Sequence, residues 1–363
     1  MEFNNLSRQY DIIKNKVTQR LENIMQTGKF IMGGEVTELE AKLAEYTGAK
    51  YAISCANGTD ALTLALMAID LQAGDEVIMP AFTYFATAEA TALLGGKCVF
   101  VDIEEENYNI DPEKIIAAIT PKTKAIIAVS LFGQCSDMGK INEIAKKYNI
   151  IVIEDAAQSF GAKYKGKMSC NLSDIACTSF FPSKPLGCYG DGGMCFTSNE
   201  NIAKKLKMLR IHGQSVKYQH DIIGMNSRLD TMQAAILLEK FAIFEDEAKK
   251  RNEIGQKMNE KLQNHYITPQ ISNFNDRSVF AQYVLRGCNE NRTSILEKLK
   301  ILGIPTAIYY PIPLPLQPAF ANLGYKATDF PTSSRLASEV FSVPFSAYLS
   351  EEEMEMVISA LIK

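Results

Sequence analysis

Seven short apolar runs rich in β-branched residues recur before residue 200, and this recurrence limits the fold more than any other feature of the sequence. "KYAIS", "DEVIMP", "KCVFVD", "KAIIAVS", "IIVIED", "DIACTSF" and "GMCFTS" each have the length of a strand. Between them lie stretches with helical spacing, such as "DALTLALMAI", "ATAEATALLG", "PEKIIAAI" and "DMGKINEIAKKYN". The alternation predicts an α/β fold, a mostly parallel seven-stranded sheet between helices. A chain of 363 residues is longer than one core usually organises, so a smaller second domain is expected. A long amphipathic helix from "TMQAAILLEKF" to "NEKLQ" leads into it. Beyond about residue 270, strand candidates ("SVFAQYVLR", "PTAIYYPI") alternate with helices ("RTSILEKLKILG", "SSRLASEVF", "SEEEMEMVISALI"). The division expected is a large domain over residues 1–245 and a smaller C-terminal α+β domain over 246–363. Four prolines in "YYPIPLPLQPAF" require an extended loop or turn there.

The totals exclude several classes. A formal charge of −4 without a basic block makes nucleic acid a poor partner. The eight cysteines stand singly, without a CxxC pair, which favours buried free thiols over a disulfide framework. Three histidines in no metal-ligand spacing give no reason to expect a metal site. No apolar run approaches the roughly 18 residues of a membrane span. "MEFNNLSRQYDIIKNK" scatters its charges and lacks the apolar core of a signal peptide, so a cytoplasmic protein is expected.

Three segments carry residue types suited to chemistry. In "NGTDALTLAL", Asn57, Gly58 and Thr59 stand between a strand and an apolar helix; free amides at a helix start bind phosphate, and the same residues also serve as an ordinary cap. "IIVIEDAAQSFGA" ends an apolar strand on Glu154 and Asp155, where strand ends in open α/β sheets face a ligand crevice; Asp155 would equally cap a following helix. "SFFPSKPLGCYGDGGM" holds Lys184 between two prolines and several glycines, a rigid setting in which a lysine near an apolar sheet becomes a neutral nucleophile toward a carbonyl. A solvated loop lysine is the plainer alternative. Together, a phosphate cup, an acid at a strand end and a loop lysine are what a pyridoxal-phosphate enzyme requires.

From "GKFIMGGEVTELEAKLAEYTGAKYAISCANGTDAL" through "PAFTYFATAEA", "EDAAQSFGA", "SFFPSKPLGCYGDGGM" and "NSRLDTMQAAIL" to "YYPIP", the chain resembles the fold-type-I nucleotide-sugar aminotransferases named after their DegT, DnrJ, EryC and StrS members. The resemblance implies pyridoxal 5'-phosphate bonded to Lys184, which also moves a proton during the reaction. It implies Asp155 against the pyridine nitrogen, Gln158 near the ring hydroxyl, and Tyr84 stacked on the ring, although a tyrosine there would otherwise read as core packing. Gly58, Thr59 and Ser179 would bind the phosphate, joined by Asn226 of a neighbouring subunit in a homodimer with shared sites. Met32, Arg228, Tyr309 and Tyr310 would line the substrate groove, with Arg228 suited to a carboxylate or to a structural ion pair.

The substrates implied are L-glutamate and a keto nucleotide sugar. "HGQ", "NSRLDTMQAAILLEKF" and "SVFAQY" are most similar to the branch acting on UDP-2-acetamido-2-deoxy-3-oxo-glucuronate, in surface-polysaccharide biosynthesis. Tyr309 and Pro315 stand where that branch commonly has histidines, and "NSR" replaces its frequent "NGR". An aminotransferase for a 4-oxo, or 3-oxo-6-deoxy, UDP- or TDP-sugar is the nearest alternative, and a non-catalytic cofactor-binding regulator a remote one. Lys184 itself argues against the dehydratases of the family, which carry histidine in its place.

Overall fold

All seven apolar runs enter one sheet. In chain order they are β1 (Tyr51–Cys55), β2 (Glu76–Pro80), β3 (Lys97–Val101), β4 (Thr123–Val129), β5 (Ile151–Asp155), β6 (Ile175–Ser179) and β7 (Gly193–Thr197). They lie side by side as β1-β7-β6-β5-β4-β2-β3 in a computed structural model that describes residues 1–288 and 290–362. β7 runs antiparallel to both β1 and β6, and the remaining neighbours are parallel. Six strands therefore point one way, and the carboxyl ends of β1, β2, β4, β5 and β6 open on one edge of the sheet, where α/β folds place their ligands. The expected α/β layer structure is what the chain adopts.

Strand periodicity makes two cores from one sheet. Along β5, Val152 packs with the layer formed by α2 (Gly34–Thr47), α6 (Met138–Tyr148) and α8 (Thr231–Leu262). Its neighbour Ile153 faces α3 (Gly58–Ala68), α4 (Ala86–Leu93) and α7 (Glu200–Leu209). Ile153 has no exposed surface, and burying a side chain of that size contributes about 2 kcal/mol.

The long helix expected after residue 230 is α8. Ala234, Leu237 and Phe244 pack in the large core, whereas Met258 and Leu262 reach a second core. That core covers a small antiparallel sheet, β8 (Tyr266–Ile267), β9 (Tyr283–Gly287) and β10 (Phe341–Val343), with α9 (Arg292–Ile301) and α11 (Glu351–Ile362) against it. The boundary drawn between residues 245 and 246 thus falls within one continuous helix. The chain also crosses it twice more. Leu314, Phe320 and Phe330 pack with Phe85 and Phe100 of the large sheet, and the Leu314 amide donates to the Ala81 carbonyl at 2.7 Å. At the other end of the chain, Phe345 donates to the Phe3 carbonyl, and Arg8 of α1 (Leu6–Thr27) holds Glu353 through two hydrogen bonds of 2.6 and 2.7 Å.

Two expected strands are shorter than their apolar runs. In "SVFAQYVLR" pairing within a sheet begins only at Tyr283, because the Val279 and Ala281 amides donate instead to the Gly133 and Phe132 carbonyls. In "PTAIYYPI" only Ala307 forms a bridge, to Ser342; the flanking prolines have no amide to extend it. The proline-rich stretch that follows includes two short 3₁₀ turns, Leu314–Leu316 and Pro318–Leu323. All eight cysteines are free, and all but Cys288 are buried.

One carboxylate fastens the returning chain. Asp102, just past β3, accepts from the Thr332 and Ser333 amides at 2.9 Å each, at the start of α10 (Pro331–Glu339). Burial pushes this carboxyl up, but the bonds from Ser333, Ile103 and Thr332 outweigh it, and the group ionises below the ordinary range. Its stabilisation is therefore present above the unfolded value and lost as pH falls through the folded one. Asp102→Ala is expected to cost about 1–3 kcal/mol, and chemical denaturation from pH 7 down to pH 3 should show the difference from wild type shrinking with acid.

Candidate active site

Lys184 lies in the connection from β6 to β7, and residues 180–192 contain no regular helix or strand. The connection is cross-braced: Phe180 donates to the Gly192 carbonyl at 2.7 Å, Cys188 to the Phe180 carbonyl at 2.8 Å, and Lys184 to the Phe181 carbonyl at 2.9 Å. A Cβ at Gly187 would stand 2.5 Å from the Phe181 carbonyl oxygen, and one at Gly193 2.2 Å from that of Asn57. The loop closes only with glycine at those positions. Loss of water pulls the Lys184 amine down from its ordinary pKa, with Asp155 opposing.

Asp155 ends β5 beside that loop and is buried. Turns, not a helix, follow it, so it caps nothing. Burial raises its carboxyl, while a hydrogen bond from Thr87 (2.8 Å), another from the Ala157 amide (3.2 Å) and the charge of Lys184 favour the anion. Thr87 was not anticipated. It follows Tyr84 by three residues at the start of α4, and that spacing is the only signal the sequence offers.

At the end of β1, Asn57 accepts from the Asp60 amide at 2.8 Å and caps α3. The capping reading is therefore right for Asn57, and it leaves the Gly58 and Thr59 amides at the helix start without an intrahelical acceptor. A Cβ on Gly58 would lie 2.7 Å from the Ser179 Cβ; glycine lets α3 begin directly against the end of β6. Ser179 is half-buried there and accepts from the Phe181 amide at 3.3 Å.

Aromatic residues border these groups. Tyr84 is 58% exposed, which sets aside core packing, and its ring centroid stands 6.0 Å from that of Tyr310. Tyr309 packs edge-on against Tyr310. Gln158 accepts from the Phe132 amide at 2.8 Å and donates to the Tyr310 hydroxyl at 2.9 Å.

The remaining positions lie on the segments leading into α2 and α8. Met32 is exposed with φ 53°; its loop is tied down by Thr231, which donates to the Phe30 carbonyl and accepts from the Gly33 amide. Arg228 is half-buried and has no ion pair or hydrogen bond among the described residues, so the structural ion pair is absent. Asn226 is exposed, and its side chain has no partner within the chain among the described residues.

An amine whose charge is disfavoured by burial, a buried carboxylate that the charge of Lys184 faces, and a helix start with unclaimed amides fit pyridoxal phosphate on three sides. Fold and site together define the class, a pyridoxal-phosphate enzyme of the aminotransferase fold. Sequence comparison narrows it: the DegT/DnrJ/EryC1/StrS aminotransferase family matches residues 11–362, and the chain belongs to that family. It is a pyridoxal-phosphate-dependent aminotransferase. It is 51% identical over 99% of both chains to the UDP-2-acetamido-2-deoxy-3-oxo-D-glucuronate aminotransferase of Pseudomonas aeruginosa. Among solved structures, a DegT DnrJ EryC1 StrS aminotransferase from Brucella abortus superposes with TM-score 0.96 at 40% identity, covering 100% of this chain and 98% of that one. NtdA from Bacillus subtilis, bound to its cofactor PMP, superposes with TM-score 0.92 at 33% identity, covering 100% and 84%.

Glu154, the other acid of the motif, faces away from the site. It is fully buried and accepts from Ser169 (2.7 Å), the Cys170 amide (3.0 Å) and Ser130 (3.3 Å). Burial nonetheless raises it to about 7. A folded value above the unfolded one means that stability is fully present below the unfolded pKa and falls as pH rises through the folded one, by up to about 3 kcal/mol. Glu154→Gln should remove that component, leaving a flatter dependence of unfolding free energy on pH between 5 and 8.

Proposed function

We propose that this enzyme transfers an amino group from L-glutamate to UDP-2-acetamido-2-deoxy-3-oxo-glucuronate, in surface-polysaccharide biosynthesis in the cytoplasm. The observation that carries the reading is end-to-end identity of 51% to a relative of that activity, and the unpaired Arg228 supports it. A guanidinium half out of water without a carboxylate of its own is suited to bind one from a substrate, with both oxygens in its planar fork. The uronate and glutamate each carry such a group.

When bound, pyridoxal phosphate supplies an aldehyde to carry nitrogen and a ring to take up an electron pair. The chain's own residues do the rest. Lys184, whose charged form burial disfavours, would hold the aldehyde, and its amine, once free, would carry a proton from and to the substrate in each half of the exchange. Asp155 would face the ring nitrogen, its orientation fixed and its anion favoured by the bonds from Thr87 and the Ala157 amide. The Gly58 and Thr59 amides and the Ser179 hydroxyl would receive the phosphate, Tyr84 would cover the ring face, and Met32 and Tyr309 would border the sugar nucleotide.

The site is completed by a second copy of the chain. Phe30, Ile31 and Met32 before α2, Phe181 in the lysine loop, and Tyr218 and Ile223 on the segment leading to Asn226 are all exposed apolar residues, the kind of surface that a homodimer covers. Asn226 then reaches the phosphate of the partner's site.

Two experiments test these readings. Purified enzyme with glutamate, offered 3-oxo and 4-oxo UDP- and TDP-sugars, should turn over the 3-oxo uronate in preference, and Arg228→Ala should lower its kcat/KM by about ten- to a hundredfold. Equal turnover of a 4-oxo deoxysugar would overturn the assignment of the sugar. Mixing Lys184→Ala chains with Asn226→Ala chains should restore activity above either parent, because half of the mixed sites combine intact residues; no gain means that each site is built within one chain.

A further inference from the structure

Tyr310 is expected along the nucleotide-sugar groove, yet its hydroxyl is engaged on the cofactor side, with Gln158. The orientation of the Gln158 carboxamide follows from chemistry. A backbone amide only donates, so the atom 2.8 Å from Phe132 N is the oxygen. The nitrogen end then faces Tyr310, whose hydroxyl accepts at 2.9 Å. One N–H of Gln158 is used there, and the other remains to donate.

Both partners of Gln158 are fixed by residues from the C-terminal part of the chain. The Phe132 and Gly133 carbonyls accept from the Ala281 and Val279 amides at 3.2 and 2.8 Å. A Cβ on Gly133 would stand 2.4 Å from the Phe280 amide nitrogen, so the turn and that segment are in direct contact. Phe132 itself has φ 55°, a left-handed conformation uncommon for a residue with a side chain; the bonds from residues 279–281 hold it there. Tyr310 follows the bridge between Ala307 and Ser342, and its ring is lodged between Phe82 and Tyr84, at centroid distances of 6.2 and 6.0 Å. Burial keeps its hydroxyl protonated far beyond the ordinary phenol range.

We propose that Tyr310 is a positioning residue for the cofactor, acting through Gln158: it fixes the carboxamide so that a donor meets the cofactor's ring oxygen, and the C-terminal layer thereby sets how that oxygen holds charge. The proposal rests on the reading that Gln158 contacts the ring hydroxyl. A donor on that oxygen stabilises its anion and weakens its hold on the neighbouring protonated nitrogen bonded to Lys184. Loss of the donor raises the pH at which that nitrogen gives up its proton, an event visible in the absorption of the bound cofactor.

The test is a pH titration of the visible band of the holoprotein, without substrate. Tyr310→Phe should raise the midpoint by about half a unit or more. Gln158→Leu should raise it as well, and adding Tyr310→Phe to Gln158→Leu should move it no further, as for two residues acting in one chain. A wild-type midpoint in Tyr310→Phe, with a raised KM for the sugar, would overturn the proposal and return Tyr310 to the substrate groove. Additive shifts would also overturn it, since Tyr310 would then act independently of Gln158. A wild-type protein with no band that borohydride fixes on Lys184 would overturn the lysine assignment itself, and the proposal with it.

Discussion

A carboxylate and an amine share the edge of a parallel sheet with little water around either, and the rest of the site is arranged about that pair. Desolvation works against both charges, so each is pulled toward its neutral form. In the roles proposed for them, Lys184 needs that condition to act as a nucleophile, whereas Asp155 needs the opposite to face a ring cation. Thr87 and the Ala157 amide oppose the pull on the carboxylate by donating to it, while no hydrogen bond to the Lys184 amine is found among the described residues. The two groups share one environment, and among the described residues only the carboxylate is given hydrogen bonds that favour its charged form.

The sheet positions the pair through its order. β5 and β6 are neighbours, so the end of one and the loop leaving the other meet. β1 lies one strand further, beyond β7, and the absence of a side chain at Gly58 brings the start of α3 back against Ser179. Close approach at a single glycine therefore joins the amides at that helix start to the lysine loop.

Much of this was legible in the sequence because it depends on local pattern. Seven apolar runs became seven strands, since residues buried on both faces leave a continuous apolar signature. Asp155 and Ser179 end strands, and Gly58 and Lys184 follow strand ends closely, where polarity changes abruptly after an apolar run. What was not legible depends on contacts distant in sequence. "SVFAQYVLR" looks like one strand, yet its first amides are drawn to the Phe132 turn, about 150 residues earlier. Thr87 has an ordinary helical position, and only the arrival of Asp155 gives it a role. Arg228 shows the converse, because an unpaired cation is recognisable only when every possible partner has been located.

The C-terminal part of the chain is more than a cap on the large sheet. It supplies the segment that holds the Phe132 turn, the tyrosine that engages Gln158 and the apolar residues that return to Phe85 and Phe100. Its core is separate, but its hydrogen bonds converge on the cofactor side of the site.

α8 runs unbroken from Thr231 to Leu262, a rod of about 48 Å. A strut of that length cannot fold at its middle without rupturing successive backbone bonds, so the two cores are denied a hinge where they adjoin.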